Sequence, residues 1–266
     1  MKKLPALLLP ICFAFVHELN AQILYTESFN VILDTSKTVK GSFMPSFRYR
    51  NVKKEFIEIS NTADISFRHN NHALTLANKL EYTLYGNENL MSGGYVYVEY
   101  LNIQDRLWAI EPYIQIHWQE TRGLEQKYAG GANLRLRVIA QPSTGIFVGL
   151  GALYQYERWN YSGVPESIPL PPNTPDIQTN QLRGSAYISI KKRLGALFHL
   201  DVSGYYQPSL GQVPTSHRLA SSSELTYNIT QYFGLSLLYQ NSYDSNPVVP
   251  VNNLFSDVNL GITVSF

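Results

Sequence analysis

The first indication of the fold comes from the last nine residues, Val258-Asn259-Leu260-Gly261-Ile262-Thr263-Val264-Ser265-Phe266. Apolar residues alternate with small polar ones, so an extended strand carries one apolar face and one polar face. A strand this apolar at the edge of a sheet would promote aggregation in water. In a closed barrel that crosses a bilayer, the apolar face contacts lipid and no edge is left free. A soluble β-sandwich can also end in an alternating strand, so the rest of the chain must distinguish the two folds.

The same alternation recurs along the chain from residue 40 onward. It is clearest in Phe56–Arg68, His72–Tyr85 and Leu107–Gln119, where apolar and polar residues take opposite faces. Similar segments lie near Lys40–Arg50, Leu90–Leu101, Lys127–Ile139, Gly145–Trp159, Gln181–Lys191, Leu194–Gln207, Arg218–Ile229, Tyr232–Tyr243 and Ser256–Phe266. About twelve strands, an even number, predict an all-β, membrane-spanning, antiparallel up-and-down barrel.

The lengths of the connections favour the membrane barrel over the sandwich. Every second connection is tight, as at Gln141–Gly145, while the alternate ones include the long segments Asn160–Asn180, Pro208–His217 and Asp244–Leu254. Long loops at one end and tight turns at the other are typical of outer-membrane barrels, with the turns in the periplasm. An even strand count then places both termini in the periplasm.

Two tryptophans predict an aromatic girdle at each edge of the lipid-facing band. Trp108 and Trp118 lie on the predicted lipid face of one strand. At about 3.3 Å per residue and a tilt near 40°, roughly 25 Å separates them along the membrane normal, which matches the height of that band. The composition agrees, because 19 Tyr and 12 Phe accompany only 15% charged residues.

The N-terminus predicts a secretory signal peptide over residues 1–21. Lys2 and Lys3 precede a short apolar segment that ends in Asn20-Ala21, with cleavage expected before Gln22. We expect one barrel domain, residues 22–266, of which 22–37 form a periplasmic lead-in. The only cysteine, Cys12, lies in the removed segment, so the mature chain has no disulfide and no thiol ligand.

The final strand predicts a contact with the barrel-assembly machinery. Leu260, Ile262, Val264 and the terminal Phe266 resemble the signal which that machinery reads. We therefore expect this machinery and outer-membrane lipid as partners. The net charge of +1 gives no indication of nucleic-acid binding.

The predicted inward faces carry ionisable groups of both signs. Buried charges require partners, so we expect a lumen lined with ion pairs. The inward charges are Glu58, Asp64, Arg68, Lys79, Glu81, Glu99, Glu111, His117, Arg135, Arg137, Glu157, Arg183, Lys191, His199, Asp201, Arg218 and Glu224. A barrel of this size lies between small filled barrels and open porins, and long charged and aromatic side chains favour an occluded lumen.

The sequence contains no strong catalytic or metal-binding motif. His69 and His72 could hold a metal, but no carboxylate or cysteine lies near them in the sequence, and a polar turn explains them equally well. An outer-membrane lipid hydrolase needs a nucleophile and a base on the lipid face. The lipid-facing polar residues, which include Ser221 and Asn241, have no histidine among them. We therefore predict no catalytic residues, no metal and no cofactor.

Three segments carry a resemblance to a known family. Leu153–Glu157, Tyr205–Pro208 and Leu237–Pro247, together with the last strand, resemble domain-of-unknown-function family 481. These are salt-induced outer-membrane proteins of Gram-negative bacteria, and the signal ending in Asn20-Ala21-Gln22 is similar to those of Bacteroidetes members. The resemblance implies an outer-membrane barrel of undefined activity and assigns no site residues. An envelope or osmotic-stress barrel, a diffusion channel for small polar solutes and a lipid hydrolase stay open, in that order.

Overall fold

The computed structural model describes residues 38–51, 54–103, 107–171, 174–211 and 216–266. The expected signal peptide and the expected lead-in lie outside these residues. The described chain forms twelve β-strands and one 3₁₀ turn, Glu120–Arg122. The strands are β1 (Val39–Asn51), β2 (Glu55–His69), β3 (His72–Tyr85), β4 (Glu88–Ile103), β5 (Trp108–Gln119), β6 (Leu124–Gln141), β7 (Thr144–Trp159), β8 (Ile177–Leu194), β9 (Phe198–Pro208), β10 (His217–Asn228), β11 (Phe233–Asp244) and β12 (Leu254–Ser265).

The strands close into a single barrel. Each strand pairs antiparallel with its neighbours in the sequence, and β1 pairs with β12. The predicted twelve-stranded up-and-down barrel is therefore confirmed. Pairing between neighbouring strands satisfies their backbone hydrogen bonds, which a sheet must do to cross a bilayer, although β1 and β12 pair over three residues only.

The three longest connections all lie at one end of the barrel, as the sequence indicated, although two residues, 86–87, join β3 to β4 at that same end. Two residues join β2 to β3 and β6 to β7, at 70–71 and 142–143. At the other end, 160–176, 209–216 and 245–253 join β7 to β8, β9 to β10 and β11 to β12. We call these ends the short-turn end and the long-loop end. Both β1 and β12 meet the short-turn end, where Gly41 and Phe266 exchange backbone hydrogen bonds.

Side chains alternate between the outer face and the lumen. In β5, Ile114 is 62% exposed on the outer face, while its neighbour Gln115 is 2% exposed inside. The same alternation holds along β11 and most of the barrel wall. Apolar residues cover the outside and polar residues fill the inside, the reverse of a soluble protein and the arrangement expected in lipid.

One predicted turn lies three residues too early. The sequence placed the β8–β9 turn at Lys192–Arg193, but β8 continues to Leu194 and β9 begins at Phe198. Gly195 makes the turn with φ +72°, a left-handed conformation that glycine adopts without strain. The strand faces are unaffected, because His199 and Asp201 still point inward.

Candidate functional site: the charged barrel interior

A buried ion-pair network lies inside the barrel near its long-loop end. Arg218 donates to both oxygens of Glu157, at 2.6 and 3.0 Å, and its Nε donates to Asp244 at 2.7 Å. Lys127 Nζ lies 2.8 Å from Glu157 Oε1. All four side chains are at most 3% exposed. Bidentate geometry and multiple donors satisfy both carboxylates, which is what a buried charge requires.

A second network occupies the middle of the barrel. Arg135 donates to Glu111 at 2.6 Å, and the hydroxyl of Tyr187 donates to the other oxygen of Glu111. The Arg135 guanidinium also lies 3.9 Å from the ring centroid of Phe147. Gly149 lets the Tyr187 ring lie against the wall, since a Cβ there would sit 2.0 Å from the ring. Aromatic rings and ion pairs thus fill the same cross-section.

Ionic contacts also line the part of the interior next to the β1–β12 seam. Lys79 Nζ lies 2.8 Å from Glu81 on its own strand and 3.0 Å from Asp257 on β12. Away from the seam, on β8 and β9, Lys191 Nζ lies 3.4 Å from Asp201. Because Lys79 is on β3, its contact with Asp257 passes over β1 and β2 on the inner surface.

An apolar cap covers the long-loop end of the interior. Leu124 and Trp159 on the wall pack against Val249 and Val251 of the 245–253 loop, and all four are at most 8% exposed. Trp159 Nε1 also donates to Glu157 at 3.2 Å, which joins the cap to the ion-pair network. The sequence analysis missed this cap, because alternation predicts strands and carries no signal for a loop that folds inward.

The predicted lumen charges all lie on inward strand faces, but their burial differs. The buried ones, at 7% exposure or less, are Lys79, Glu111, His117, Arg135 and Arg183. The half-buried ones are Glu58, Asp64, Arg68, Glu81, Glu99, Arg137, Asp201 and Glu224.

Four further charges lie on inward strand faces. Arg48, which the alternation in Lys40–Arg50 places on the inward face, is 54% exposed next to the seam, where it pairs with Glu58 at 3.0 Å. Lys127, Asp244 and Asp257 were missed. Lys127 and Asp257 alternate in phase with the inward residues of their strands, so the sequence pattern could have identified them. Asp244 was assigned to a loop, but it is the last residue of β11.

The predicted girdle and assembly-signal residues lie on the outer face. Trp108 is at the short-turn end of β5 and Trp118 is at its long-loop end. Leu260, Ile262 and Phe266 are more than half exposed on the outside of the barrel, and Val264 is partly exposed there. Their position on the outer face is compatible with a girdle and an assembly signal. Both of these roles remain predictions.

The outer face also holds the polar residues weighed for a lipid hydrolase. Ser221 Oγ donates to Asn241 Oδ1 at 3.0 Å. His217, assigned to a loop by the sequence analysis, is the first residue of β10 and lies between the rings of Tyr206 and Tyr243. Four residues of strand, about 13 Å, separate His217 from Ser221, too far for proton transfer.

The described residues contain no group of three or more His, Cys, Asp or Glu side chains that could hold a metal ion. His72, one of the two weighed as metal ligands, shares a hydrogen bond with the Tyr100 hydroxyl at 2.6 Å. Within the same part of the chain, no helix is long and apolar enough to span a membrane.

A comparison with protein families matches residues 57–266 to the family described as "Protein of unknown function, DUF481". The chain belongs to the DUF481 family. This match confirms the resemblance drawn from the sequence. Because the function of the family is unknown, membership assigns no role to any residue of this DUF481 protein. No curated protein matches the sequence.

Solved structures similar to this DUF481 chain include two porins and one autotransporter domain. The NanC porin is 14% identical, with a TM-score of 0.44 and coverage of 86% of this chain and 98% of that one. The KdgM porin is 11% identical, with a TM-score of 0.42 and coverage of 86% and 99%. The translocator domain of the autotransporter NalP from Neisseria meningitidis is 11% identical, with a TM-score of 0.44 and coverage of 85% and 87%.

Proposed function

We propose that this protein is an integral outer-membrane barrel with an occluded lumen, which serves the envelope as a structural or osmotic-stress component. The observation that carries this proposal is that two buried layers, the apolar cap and the ion-pair network, lie one behind the other at the long-loop end. The apolar cap around Trp159 lies directly against the Glu157–Arg218 network, and neither layer exposes its side chains. A solute that enters from this end meets first the apolar cap and then the buried ion-pair network.

The middle of the barrel supports the same proposal. Tyr95, Tyr97 and Tyr113 form a buried cluster with small residues, and Tyr97 stacks on Tyr113 at 5.6 Å. Long and aromatic side chains reach across a lumen of this diameter, whereas barrels of 16–18 strands leave an aqueous channel. We therefore expect occlusion along the barrel as well as at one mouth.

The proposed placement in the membrane follows from the barrel's two ends. The apolar outer face requires lipid, and the short-turn end, where β1 and β12 meet, is the end expected in the periplasm. The proposal therefore has both termini periplasmic, the long loops outside and the barrel-assembly machinery as a partner during insertion.

A diffusion channel for small polar solutes is the second candidate, favoured by unpaired polar atoms inside the barrel. The buried oxygens of Asn133, Ser203, Ser222 and Ser242 have no hydrogen-bond partner within the described part of the protein. Buried polar atoms of this kind are commonly satisfied by internal water. A continuous file of such waters would give a narrow conducting path.

Solute uptake into proteoliposomes separates the two candidates. Vesicles that contain the purified protein are diluted into an isotonic sugar solution, and light scattering reports swelling. The occluded barrel predicts swelling no faster than in protein-free vesicles, for arabinose as well as for larger sugars. Swelling that is rapid for arabinose and declines with sugar size would instead establish the channel.

A further inference from the structure

The seam between β1 and β12 is closed over a short length only. Three residue pairs join the strands, Gly41 with Phe266, Ser42 with Ser265 and Phe43 with Val264. Every other ladder has at least nine pairs. Within the described residues, no backbone hydrogen bond joins the remainder of β1 to β12. That remainder, Met44–Asn51, covers about 20 Å of the membrane normal at the usual strand rise and tilt.

Pro45 accounts for the point at which pairing stops. Gly41 uses its N–H and C=O toward β12, so every second residue after it, Phe43 and Pro45 included, points the same way. Proline has no N–H and cannot donate to the neighbouring strand. Pro45 therefore lacks the hydrogen bond that would extend the ladder past Phe43, while its pairing with β2 opposite Asn61 needs no such donor.

Beyond Pro45, β1 is exposed on both of its faces. On the outer face Phe47 is 70% and Tyr49 is 50% exposed. On the inward face Arg48 and Arg50 are also exposed, whereas the inward residues of β5 are buried. On the opposite edge, residues 254–263 of β12 have no register partner on β1. Unpaired backbone groups along a strand edge are strongly unfavourable in hydrocarbon, so this opening requires a polar occupant or a closed alternative.

The sequence is complementary across the open part of the seam. Continuing the existing register places Arg50 directly opposite Asp257 on the inner face. On the outer face, Tyr49 comes opposite Val258, an aromatic pair with a β-branched residue that stabilises neighbouring strands. In the structure Asp257 instead accepts from Lys79 at 3.0 Å. The same carboxylate thus has one cationic partner when the seam is open and another when it closes.

We propose that the β1–β12 seam is a lateral gate, and that in its open state it binds a membrane amphiphile with an anionic headgroup. Acyl chains alone cannot satisfy the bare strand edges, but a phosphate headgroup with ester oxygens supplies acceptors for their N–H groups. Arg50 provides the positive charge, since no acidic side chain pairs with it in the described part of the chain, whereas the neighbouring Arg48 already pairs with Glu58. Phe47 and Tyr49 lie alongside to contact the acyl chains. The gate hinges at the three closed pairs, where the Phe266 ring packs over Gly41.

A disulfide tests whether the closed state exists. Arg48 and Asn259 face each other in the continued register as a non-hydrogen-bonded pair, the close arrangement that suits a disulfide. The Arg48→Cys/Asn259→Cys double variant is oxidised in phospholipid vesicles and compared with Ser42→Cys/Ser265→Cys, a pair that already touches. We expect intramolecular disulfides in both. If the disulfide forms only in the Ser42→Cys/Ser265→Cys control, the seam does not close and the gate is refuted. If the Arg48→Cys/Asn259→Cys variant forms a disulfide-linked dimer, a second copy of the chain occupies the open seam and the lipid occupant is refuted.

Photolabelling tests the occupant in the same variant. The vesicles carry phosphatidylglycerol with a photoreactive acyl chain, and mass spectrometry locates the label. We expect the label on residues 44–51 and 254–263 in the reduced form, and we expect it to disappear when the disulfide forms. Both forms lack Arg48, so the comparison between them reports only the effect of closing the seam. Label that is unchanged by oxidation, or spread evenly around the barrel, overturns the binding site.

The headgroup preference is tested with charge variants and a second probe. Arg50→Gln should reduce labelling by phosphatidylglycerol, while Arg193→Gln, an exposed arginine at the opposite end of the barrel, should leave it unchanged. Equal labelling by a phosphatidylcholine probe, or equal effects of the two substitutions, overturns the assignment of an anionic headgroup.

Discussion

Replacing Glu157 by Gln isolates the energy of the buried network. The substitution preserves the shape of the side chain but removes the charge that faces Arg218 and Lys127, both at most 3% exposed. Arg218 keeps Asp244 at 2.7 Å, whereas Lys127 is left as a buried cation with no acidic partner from this network. Breaking a buried ion pair from one side costs about 3–5 kcal/mol, so we expect a loss of that size in the free energy of unfolding.

The matched control is Glu58→Gln, the same substitution in a partly exposed pair. Arg48 and Glu58 are 54% and 26% exposed, and such pairs contribute below about 1 kcal/mol. Urea titration of both variants in phospholipid vesicles, with folded protein detected by heat-modifiable gel mobility, gives the two free energies. Adding Lys127→Met to Glu157→Gln should recover stability, because it removes the uncompensated cation. Equal losses in Glu157→Gln and Glu58→Gln would refute the network as a buried, coupled unit.

Three further predictions test the interior, the orientation and the closing strand. Gly149→Ala should cost about 1–3 kcal/mol of unfolding free energy, because the added Cβ displaces the Tyr187 ring above it, whereas the Cβ of Gly204→Ala on the outer face would meet no atom within 3.7 Å and should be neutral. An epitope inserted at Glu166 should bind antibody on intact cells, and one at Ser143 only after permeabilisation; the opposite pattern would invert the barrel. Deleting Phe266 removes a backbone pair of the seam and should lower the amount of heat-modifiable protein in the membrane, so unchanged levels would count against its role in assembly.

Alternation was enough to predict the barrel wall, because each strand in lipid must separate its faces strictly. Ile114 and Gln115 illustrate the point, since one residue of displacement would put the glutamine into hydrocarbon. The same rule placed Glu111 and Arg135 inside. Which charges meet across the lumen was not predictable, since partners such as Lys79 and Asp257 lie far apart in the sequence and come together only through the register of several strands.

Loop conformation and the incomplete seam were also beyond the sequence analysis. Val249 and Val251 lie in a segment without alternation, and their packing against Trp159 depends on where the barrel mouth places that ring. Pro45 did carry a signal in the sequence. Its meaning depends on which neighbouring strand its missing N–H faces, and this is known only once Gly41 is seen paired with Phe266.

Electrical recording from planar bilayers tests the central claim, the occluded interior, most directly. Purified wild-type protein, inserted singly into a planar membrane, should produce no large and stable conductance step. Simultaneous neutralisation of Glu81, Glu99, Arg135 and Arg137 should raise whatever small current is present, because it removes charges that hold neighbouring side chains in place along the lumen wall. A large, stable and weakly selective conductance from the wild-type protein would contradict the account and identify the barrel as an open channel.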